Sequence, residues 1–120
     1  MTNHFFGRWR TMAVKEKFEV LTTRMNDDPS HLEDMNVVYK FNLSGDEEGT
    51  YQLKIEDKKA EYTLEEKHEP TITLEMSDKN FLKLAENDLN PTMAYMSGKL
   101  KVKGDLSLAL KLHSLLKKYQ

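Results

Sequence analysis

The feature that most constrains the fold is a set of four segments between residues 37 and 76 in which apolar side chains occupy every second position. Such alternation predicts strands with one buried and one polar face, because successive side chains of a strand point to opposite sides of the sheet. Turn-forming residues separate the segments at 44–49, 57–59 and 67–70. We therefore predict a meander of paired antiparallel strands that helices cover on one face. The alternating residues are Val37, Tyr39, Phe41 and Leu43; Tyr51, Leu53 and Ile55; Tyr62 and Leu64; and Ile72, Leu74 and Met76.

Helical signals flank these strands on both sides. Apolar residues three or four positions apart predict a first helix that ends before Pro29. Ser77 is a good N-cap for a second helix, and Asn90 followed by Pro91 starts a short third one. The predicted helices cover residues 14–25, 78–86, 91–96 and 106–119.

The last predicted helix carries more apolar residues than one buried face needs. A helix that lies on a sheet requires an apolar stripe about 100° wide, and the positions here spread well beyond it. Part of the surplus must face another helix, a partner subunit or an internal apolar space, and periodicity does not choose among the three. The apolar positions are Leu106, Leu108, Ala109, Leu110, Leu112, Leu115, Leu116 and Tyr119.

A fifth strand is predicted before this helix, because Lys99, Lys101 and Lys103 alternate with Leu100 and Val102. Two interpretations of the lysines stay open. They protect an edge strand against pairing with another chain, or they attract the phosphate groups of coenzyme A or of an anionic membrane.

Charge is unevenly distributed along the chain. Residues 97–120 hold six lysines and a single acid, Asp105, although the net charge of the 120 residues is −2. The basic end is a candidate surface for an anionic partner. The rest is too acidic for nonspecific binding to nucleic acid, which needs a basic stripe, so we expect no nucleic-acid partner.

A chain of 120 residues is long enough for one domain with its own core. Residues 1–12 stand apart because they group Phe5, Phe6 and Trp9 with arginines. We interpret them as a leader of uncertain order, with an anchor for a membrane or a partner as the alternative, and 13–120 as a single domain. The chain has no cysteine and no apolar run long enough for a spanning helix or a signal peptide, so the cytoplasm is the expected compartment.

Catalytic and metal-binding motifs are absent from the sequence. The four histidines are scattered, with no His-x-His or His-x-x-x-His pair, so no metal site is expected. No Gly-x-Ser-x-Gly elbow, phosphate-binding glycine loop or cysteine nucleophile occurs. The acidic pairs Glu47–Glu48 and Glu65–Glu66 fall in or beside predicted turns, where solvated charge is the default. We therefore expect neither enzymatic activity nor a cofactor.

A long and specific run, NPTMAYMSGKLKVKGD at 90–105, precedes the last helix. This run resembles the sterol carrier protein type 2 (SCP-2 sterol transfer) domain family, and the similarity is strongest over 69–112. Through the order of the strands it extends more loosely back to about Val37. Other matching segments are EPTITL at 69–74, SD at 77–78, FL at 81–82 and LALKL at 108–112.

The resemblance implies an α+β fold in which a five-stranded, mainly antiparallel sheet is covered by helices that enclose an apolar tunnel. It also implies a non-enzymatic lipid carrier, or a lipid-binding module fused to an enzyme, for fatty acid, fatty acyl-CoA, phospholipid or sterol. An empty apolar space of a few hundred Å³ would cost a small domain much of its stability, so we expect the tunnel to hold lipid or to be partly collapsed.

Under this resemblance, the surplus face of the last helix lines the tunnel together with the second and third helices. We expect ligand contacts at Phe81, Met93, Met96, Leu106 and Leu110. Methionine suits such a wall because it is unbranched and polarizable, although it also fills gaps in ordinary cores.

Lys99, Lys101 and Lys103 are the expected contacts with a lipid head group or a membrane. The protein is expected to be a monomer or weak dimer that touches an anionic membrane transiently. The alternative is an interaction or oligomerisation domain of the same fold, without lipid transport, whose surplus leucines meet another chain.

Overall fold

The computed structural model describes residues 13–120, and the predictions for 1–12 lie outside them. The helices of this part are α1 (Ala13–Asp27), α2 (Asp78–Ala85), α3 (Pro91–Met96) and α4 (Leu106–Lys117), with a 3₁₀ turn at Pro29–His31. The strands are β1 (Val37–Ser44), β2 (Gly49–Glu56), β3 (Lys59–Thr63), β4 (Ile72–Ser77) and β5 (Lys101–Lys103). The four predicted helices and the five predicted strands are thus all present.

The strands form one sheet in the order β3-β2-β1-β4-β5. Three of its neighbouring pairs are antiparallel, whereas β1 and β4 are parallel, with Phe41 opposite Leu74. The five-stranded, mainly antiparallel sheet is confirmed, but the simple meander is wrong, because β4 follows β3 in the chain and lies beside β1. Alternation indicates which face of a strand is buried, but it does not determine which strand pairs with it.

The connection between β3 and β4 crosses the polar face of the sheet and makes the parallel pairing possible. The buried side chain of Gln52 on β2 accepts hydrogen bonds from the backbone N–H groups of Lys67 and His68, both at 2.8 Å, and donates to the His68 carbonyl at 2.7 Å. At the end of the connection, the Thr71 N–H donates to the Val38 carbonyl at 2.9 Å, and Thr71 Oγ1 accepts from the Val38 N–H. The connection is therefore held against β1 and β2 before β4 begins.

The helices cover the opposite, apolar face, and the centre of the core is aromatic. Phe18 of α1 stacks on Phe81 of α2 with ring centroids 4.8 Å apart, and Phe41 of β1 lies 5.5 Å and 5.2 Å from them. Tyr39 of β1 donates its hydroxyl to the Leu108 carbonyl of α4 at 2.9 Å, and burial raises the pKa of this hydroxyl well above its ordinary value. The sheet thus binds α4 by a buried hydrogen bond as well as by apolar packing.

The turn between β1 and β2 joins the starts of α1 and α2. Glu47 Oε1 accepts from the Val14 N–H and Asp78 Oδ2 accepts from the Glu47 N–H, both at 2.9 Å. Both side chains are buried, so our prediction of solvated charge at Glu47 is wrong. Burial, reinforced by the negative charge of Asp78, raises the pKa of Glu47. In the same turn Gly45 has a φ of +109°, and a Cβ there would lie 2.4 Å from Asp78 Oδ1, so this position requires glycine.

Candidate functional site

Helix α3 begins at a well-formed cap. Asn90 Oδ1 accepts hydrogen bonds from the backbone N–H groups of Thr92 and Met93 at 2.9 Å and 3.1 Å. Pro91 follows in the first helical position, where its missing N–H leaves no donor unpaired. The cap therefore fixes where this six-residue helix starts.

The outward face of α3 carries its largest apolar side chains. Pro91 and Ala94 are buried, whereas Met93, Tyr95 and Met96 are 69%, 44% and 80% exposed. Met93 and Met96 are three residues apart and share one side of the helix. A helix that only covers a core has the opposite arrangement, with its large apolar residues inward. We call Met93, Tyr95 and Met96 the apolar corner.

The chain leaves α3 through a turn that places the first lysine. The Ala94 carbonyl accepts from the N–H groups of Lys99 and Leu100 at 2.9 Å and 3.1 Å, and Gly98 has a φ of +82°. Leu100 is buried and Lys99 is exposed. The turn thus keeps Lys99 close in the chain to the apolar corner and directs it to the surface.

Strand β5 forms an edge of the sheet, with Lys101 and Lys103 exposed. Lys103 Nζ lies 3.3 Å from Glu75 Oε2 on β4. The Asn42 side chain, and after it Lys103, holds the pKa of Glu75 below its usual range by hydrogen bonding to the carboxylate. The predicted edge strand is confirmed, and contact of its lysines with a head group stays a prediction.

Lys99 and Lys101 also line a shallow groove of about 400 Å³ beside the ends of the parallel strands β1 and β4. Ser44 and Ser77, the last residues of those strands, line the same groove, as does Glu75. The groove therefore brings together hydroxyl and ammonium groups that are far apart in the sequence.

Helix α4 divides its apolar residues between the core and the surface. It contacts both α2 and α3, and Leu106 and Leu108 are partly buried, whereas Leu110 is 40% exposed. Much of the surplus apolar face thus meets neighbouring helices, and the remainder reaches the surface. The buried side chains on or just after α4 are Ala109, Leu112, Leu115, Leu116 and Tyr119.

The five predicted ligand contacts lie at three depths. Phe81 is only 1% exposed and belongs to the aromatic centre, so it can touch a ligand only if the core opens. Leu106 is partly buried, and Met93, Met96 and Leu110 lie at the surface. The structure therefore places α3 and α4 in contact, with Met93, Met96 and Leu110 exposed on them, and places Phe81 in the core.

Tyr95 is a surface residue that our sequence reasoning did not single out. The signal for it was the spacing of Pro91 and Ala94, two small residues three positions apart that together define an inward face. Because α3 is one and a half turns long, all of its remaining positions then point outward or sideways.

Other polar groups of the described chain offer no competing site. No three His, Cys, Asp or Glu side chains between residues 13 and 120 are grouped as metal ligands. His113 lies 3.0 Å from Asn87 Oδ1, and partial burial lowers its pKa. A cleft of about 750 Å³ at the β2–β3 edge is lined mainly by charged side chains. None of the helices in residues 13–120 has the length and apolar character needed to cross a membrane.

Comparison with known proteins gives matches over most of the chain. The profile of the SCP-2 sterol transfer family matches residues 18–117. Hydroxysteroid dehydrogenase-like protein 2 from Bos taurus is 37% identical over 108 residues, which are 89% of this chain and 25% of that protein. The chain thus spans about a quarter of the length of the curated relatives it matches.

Two solved structures share the fold. Sterol carrier protein domain 2 of Helicoverpa armigera has a TM-score of 0.72 and 26% identity, with 87% of this chain and 85% of that chain covered. The apo form of sterol carrier protein 2 from Yarrowia lipolytica has a TM-score of 0.72 and 26% identity, with 86% and 88% covered.

Proposed function

The chain belongs to the SCP-2 sterol transfer family, and from this membership we propose that it binds a lipid and carries it without catalysis. The proposed ligands are fatty acid, fatty acyl-CoA, phospholipid or a sterol-like molecule, and the proposed compartment is the cytoplasm. The dehydrogenase-like name of the curated relatives does not transfer to this chain, because the chain spans only a quarter of their length.

The observation that carries the proposal is that α3 and α4, two helices in contact, both leave apolar side chains at the surface. Met93 and Met96 lie on α3, Leu106 and Leu110 lie on α4, and the two helices are in contact. A protein that keeps its apolar residues for its own core does not need large ones on two neighbouring helices at the surface.

Helix α4 supplies a route from this surface toward the interior. It contacts α3 at the surface and also α2, the helix that carries Phe81. We propose that an acyl chain passes between α3 and α4, along Leu106 and Leu110, and ends near Phe81. The predicted tunnel would then form as α4 shifts, since the space around Phe81 is filled by Phe18 and Phe41.

The energies of such binding are adequate. Burial of an acyl chain yields about 0.8 kcal/mol per methylene, or on the order of 10 kcal/mol for a long chain. The cost of association is about 4 to 15 kcal/mol. At the low end of this cost, burial alone leaves about 6 kcal/mol, or a Kd of about tens of micromolar, so tighter binding would need further contacts such as those of a head group.

Native mass spectrometry with organic extraction of the purified protein tests the function directly. A monomer that releases an extractable lipid supports the carrier. A lipid-free dimer would contradict it and favour the interaction domain of the same fold.

The substitution Leu110→Gln tests the proposed route. An amide beside an acyl chain lacks hydrogen-bond partners, so we expect lipid affinity to fall about ten- to hundredfold, or about 1 to 3 kcal/mol. The melting temperature of the lipid-free protein should change little, because Leu110 is 40% exposed. Titration with a fluorescent fatty acid and thermal denaturation measure the two effects.

Leu112→Gln is the matched control on the same helix. Leu112 is buried, so this variant should have a lower melting temperature with and without lipid. A large loss of stability in Leu110→Gln, with unchanged affinity of the folded fraction, would remove Leu110 from the ligand route.

A further inference from the structure

We propose that the apolar corner, together with Lys99 and Lys101, is a docking surface for an anionic phospholipid bilayer, with Met93 and Met96 inserted among the acyl chains. The proposal rests on the lipid-carrier function, because it names the surface at which lipid would be exchanged.

The first observation is the clustering of exposed apolar side chains. Between residues 13 and 120, six large hydrophobic side chains are exposed, and the six-residue α3 holds three of them. Val20 and Leu64 lie on other parts of the chain, and Leu110 lies on α4, which contacts α3. Single exposed apolar residues are normal on protein surfaces, whereas a cluster marks an interaction site.

The second observation is the charge around the corner. Residues 89–104 contain three lysines and no acidic residue. Lys103 lies against Glu75, so Lys99 and Lys101 supply the net positive charge of this segment. Exposed apolar side chains beside lysines match the two layers of an anionic bilayer, its acyl chains and its phosphate groups.

The groove next to the corner suits a lipid phosphate. Lys99 and Lys101 line it together with Ser44 and Ser77. Ser77 Oγ accepts the N–H of Asn80 at 3.1 Å as the cap of α2, and its hydroxyl hydrogen remains able to donate. A phosphate oxygen in the groove would therefore meet two ammonium groups and a hydroxyl donor, while Lys103 offsets the charge of Glu75.

A bilayer fits this surface better than a second protein does. A stable protein interface buries about 800 Å² on each partner, far more than the three side chains of the apolar corner can cover. A bilayer needs no complementary shape, and the flexible methionine side chain adapts to disordered acyl chains.

Vesicle flotation of the full chain tests the proposal. The vesicles are phosphatidylcholine alone or a mixture with phosphatidylserine, at low and at high salt. We expect the double variant Met93→Gln, Met96→Gln to lose at least about tenfold in binding to the mixed vesicles at both salt concentrations, because it removes apolar insertion. The double variant Lys99→Gln, Lys101→Gln should lose about twenty-five-fold at low salt, at about fivefold per lysine, and much less at high salt.

Matched controls lie at the opposite edge of the sheet and on α1. Leu64 is 49% exposed just after β3, so Leu64→Gln exchanges an exposed apolar residue away from the corner. Lys15→Gln with Lys59→Gln removes two exposed charges in the same way. Both controls should bind vesicles like the unchanged protein, and the melting temperature of each variant verifies that it is folded.

Three results would overturn the proposal. Equal binding to phosphatidylcholine alone would remove the role of charge. A loss in the methionine variant no larger than that in Leu64→Gln would remove the apolar corner. Undiminished binding of the Lys99→Gln, Lys101→Gln variant at low salt would remove the two lysines from the docking surface.

Organic extraction of the same samples separates this proposal from the carrier function. Protein that binds anionic vesicles but never holds lipid would support docking and contradict the carrier. Protein that holds lipid but binds no vesicle would contradict docking and leave the carrier intact.

Discussion

Helices α1 and α3 lie on the same side of the sheet, but they differ in where their large apolar side chains point. Helix α1 turns its apolar stripe inward, and Val14, Phe18, Leu21 and Met25 are all buried. Helix α3 buries Pro91 and Ala94 and exposes its two methionines. One helix completes the core, and the other covers it while displaying apolar surface.

Under the proposed function, the difference separates residues for stability from residues for binding within one small domain. Around α1, apolar contacts and buried hydrogen bonds hold the fold, including those of the buried Glu47 and Asp78 carboxyl groups. Around α3, a cluster of apolar side chains is left exposed, and clusters of this kind mark interaction sites. Changes near α1 should therefore alter folding, and changes near α3 should alter binding.

Shortening one side chain in each helix gives the largest expected contrast. Phe18→Ala removes a ring that contacts Phe41 and Phe81, so it should lower the free energy of unfolding by about 3 to 5 kcal/mol. Met96→Ala removes an 80% exposed side chain and should change it by less than about 0.5 kcal/mol. Urea denaturation followed by circular dichroism measures both values. A loss above about 1 kcal/mol in Met96→Ala would show that α3 also supports the core.

Glycine to alanine in the two turns gives a smaller contrast. Gly45 and Gly98 both have positive φ, but a Cβ at Gly45 would meet the Asp78 carboxylate at 2.4 Å, whereas a Cβ at Gly98 would meet nothing within 4 Å. Gly98→Ala should therefore cost about 1 kcal/mol from backbone strain alone. Gly45→Ala should cost about 1 to 3 kcal/mol more, because the Asp78 side chain must move. Equal losses in the two variants would mean that the turn near α1 relaxes as freely as the turn after α3.

This contrast between the helices could be predicted from the sequence only in part. The stripe of α1 extends over three turns, so its period identifies the buried face. Helix α3 is too short for a period, and with apolar residues at Met93, Ala94, Tyr95 and Met96 its composition does not say which side is buried. The proline and the alanine had to be recognised as the inward pair.

The sheet shows the same limit. Alternation predicted the buried face of β1, β2 and β4 correctly, but Leu64 continues the alternation of β3 and is exposed, because the chain has left the sheet by then. The parallel neighbour of β1 depends on Gln52, a polar residue on the outer face that binds a connection fifteen residues later in the chain. Sequence periodicity carries no information about such a contact.

Glu47 shows that the type of residue does not decide burial either. A Glu-Glu pair between two strands is ordinarily solvated, and Glu48 is exposed as expected. Glu47 is buried because the first N–H groups of α1 need an acceptor and the β1–β2 turn lies beside them. Only the three-dimensional arrangement of turn and helix reveals this pairing.

The starts of the two helices differ in one further way, which predicts a pH dependence at the start of α1 and none at the start of α3. Helix α3 is capped by the amide of Asn90, which does not titrate, whereas the acceptor at α1 is the carboxyl of Glu47, with Asp78, Glu16 and Asp46 as the charged groups around it. Burial raises the pKa of Glu47 above its ordinary value of 4.5 in the folded state, so the folded protein keeps this proton to a higher pH than the unfolded chain does. The stability that this provides is complete below the unfolded pKa and is lost as the pH rises through the folded pKa.

The variant Glu47→Gln isolates this effect, because it keeps an oxygen acceptor for the Val14 N–H and removes the titration. Its free energy of unfolding, relative to that of the unchanged protein, should rise with pH from about 4.5 up to the folded pKa and stay level above it. Urea denaturation at a series of pH values measures the difference. Curves that run parallel through this window would show that the Glu47 carboxyl titrates alike in the folded and unfolded chain, and that the start of α1 is no more sensitive to pH than the start of α3.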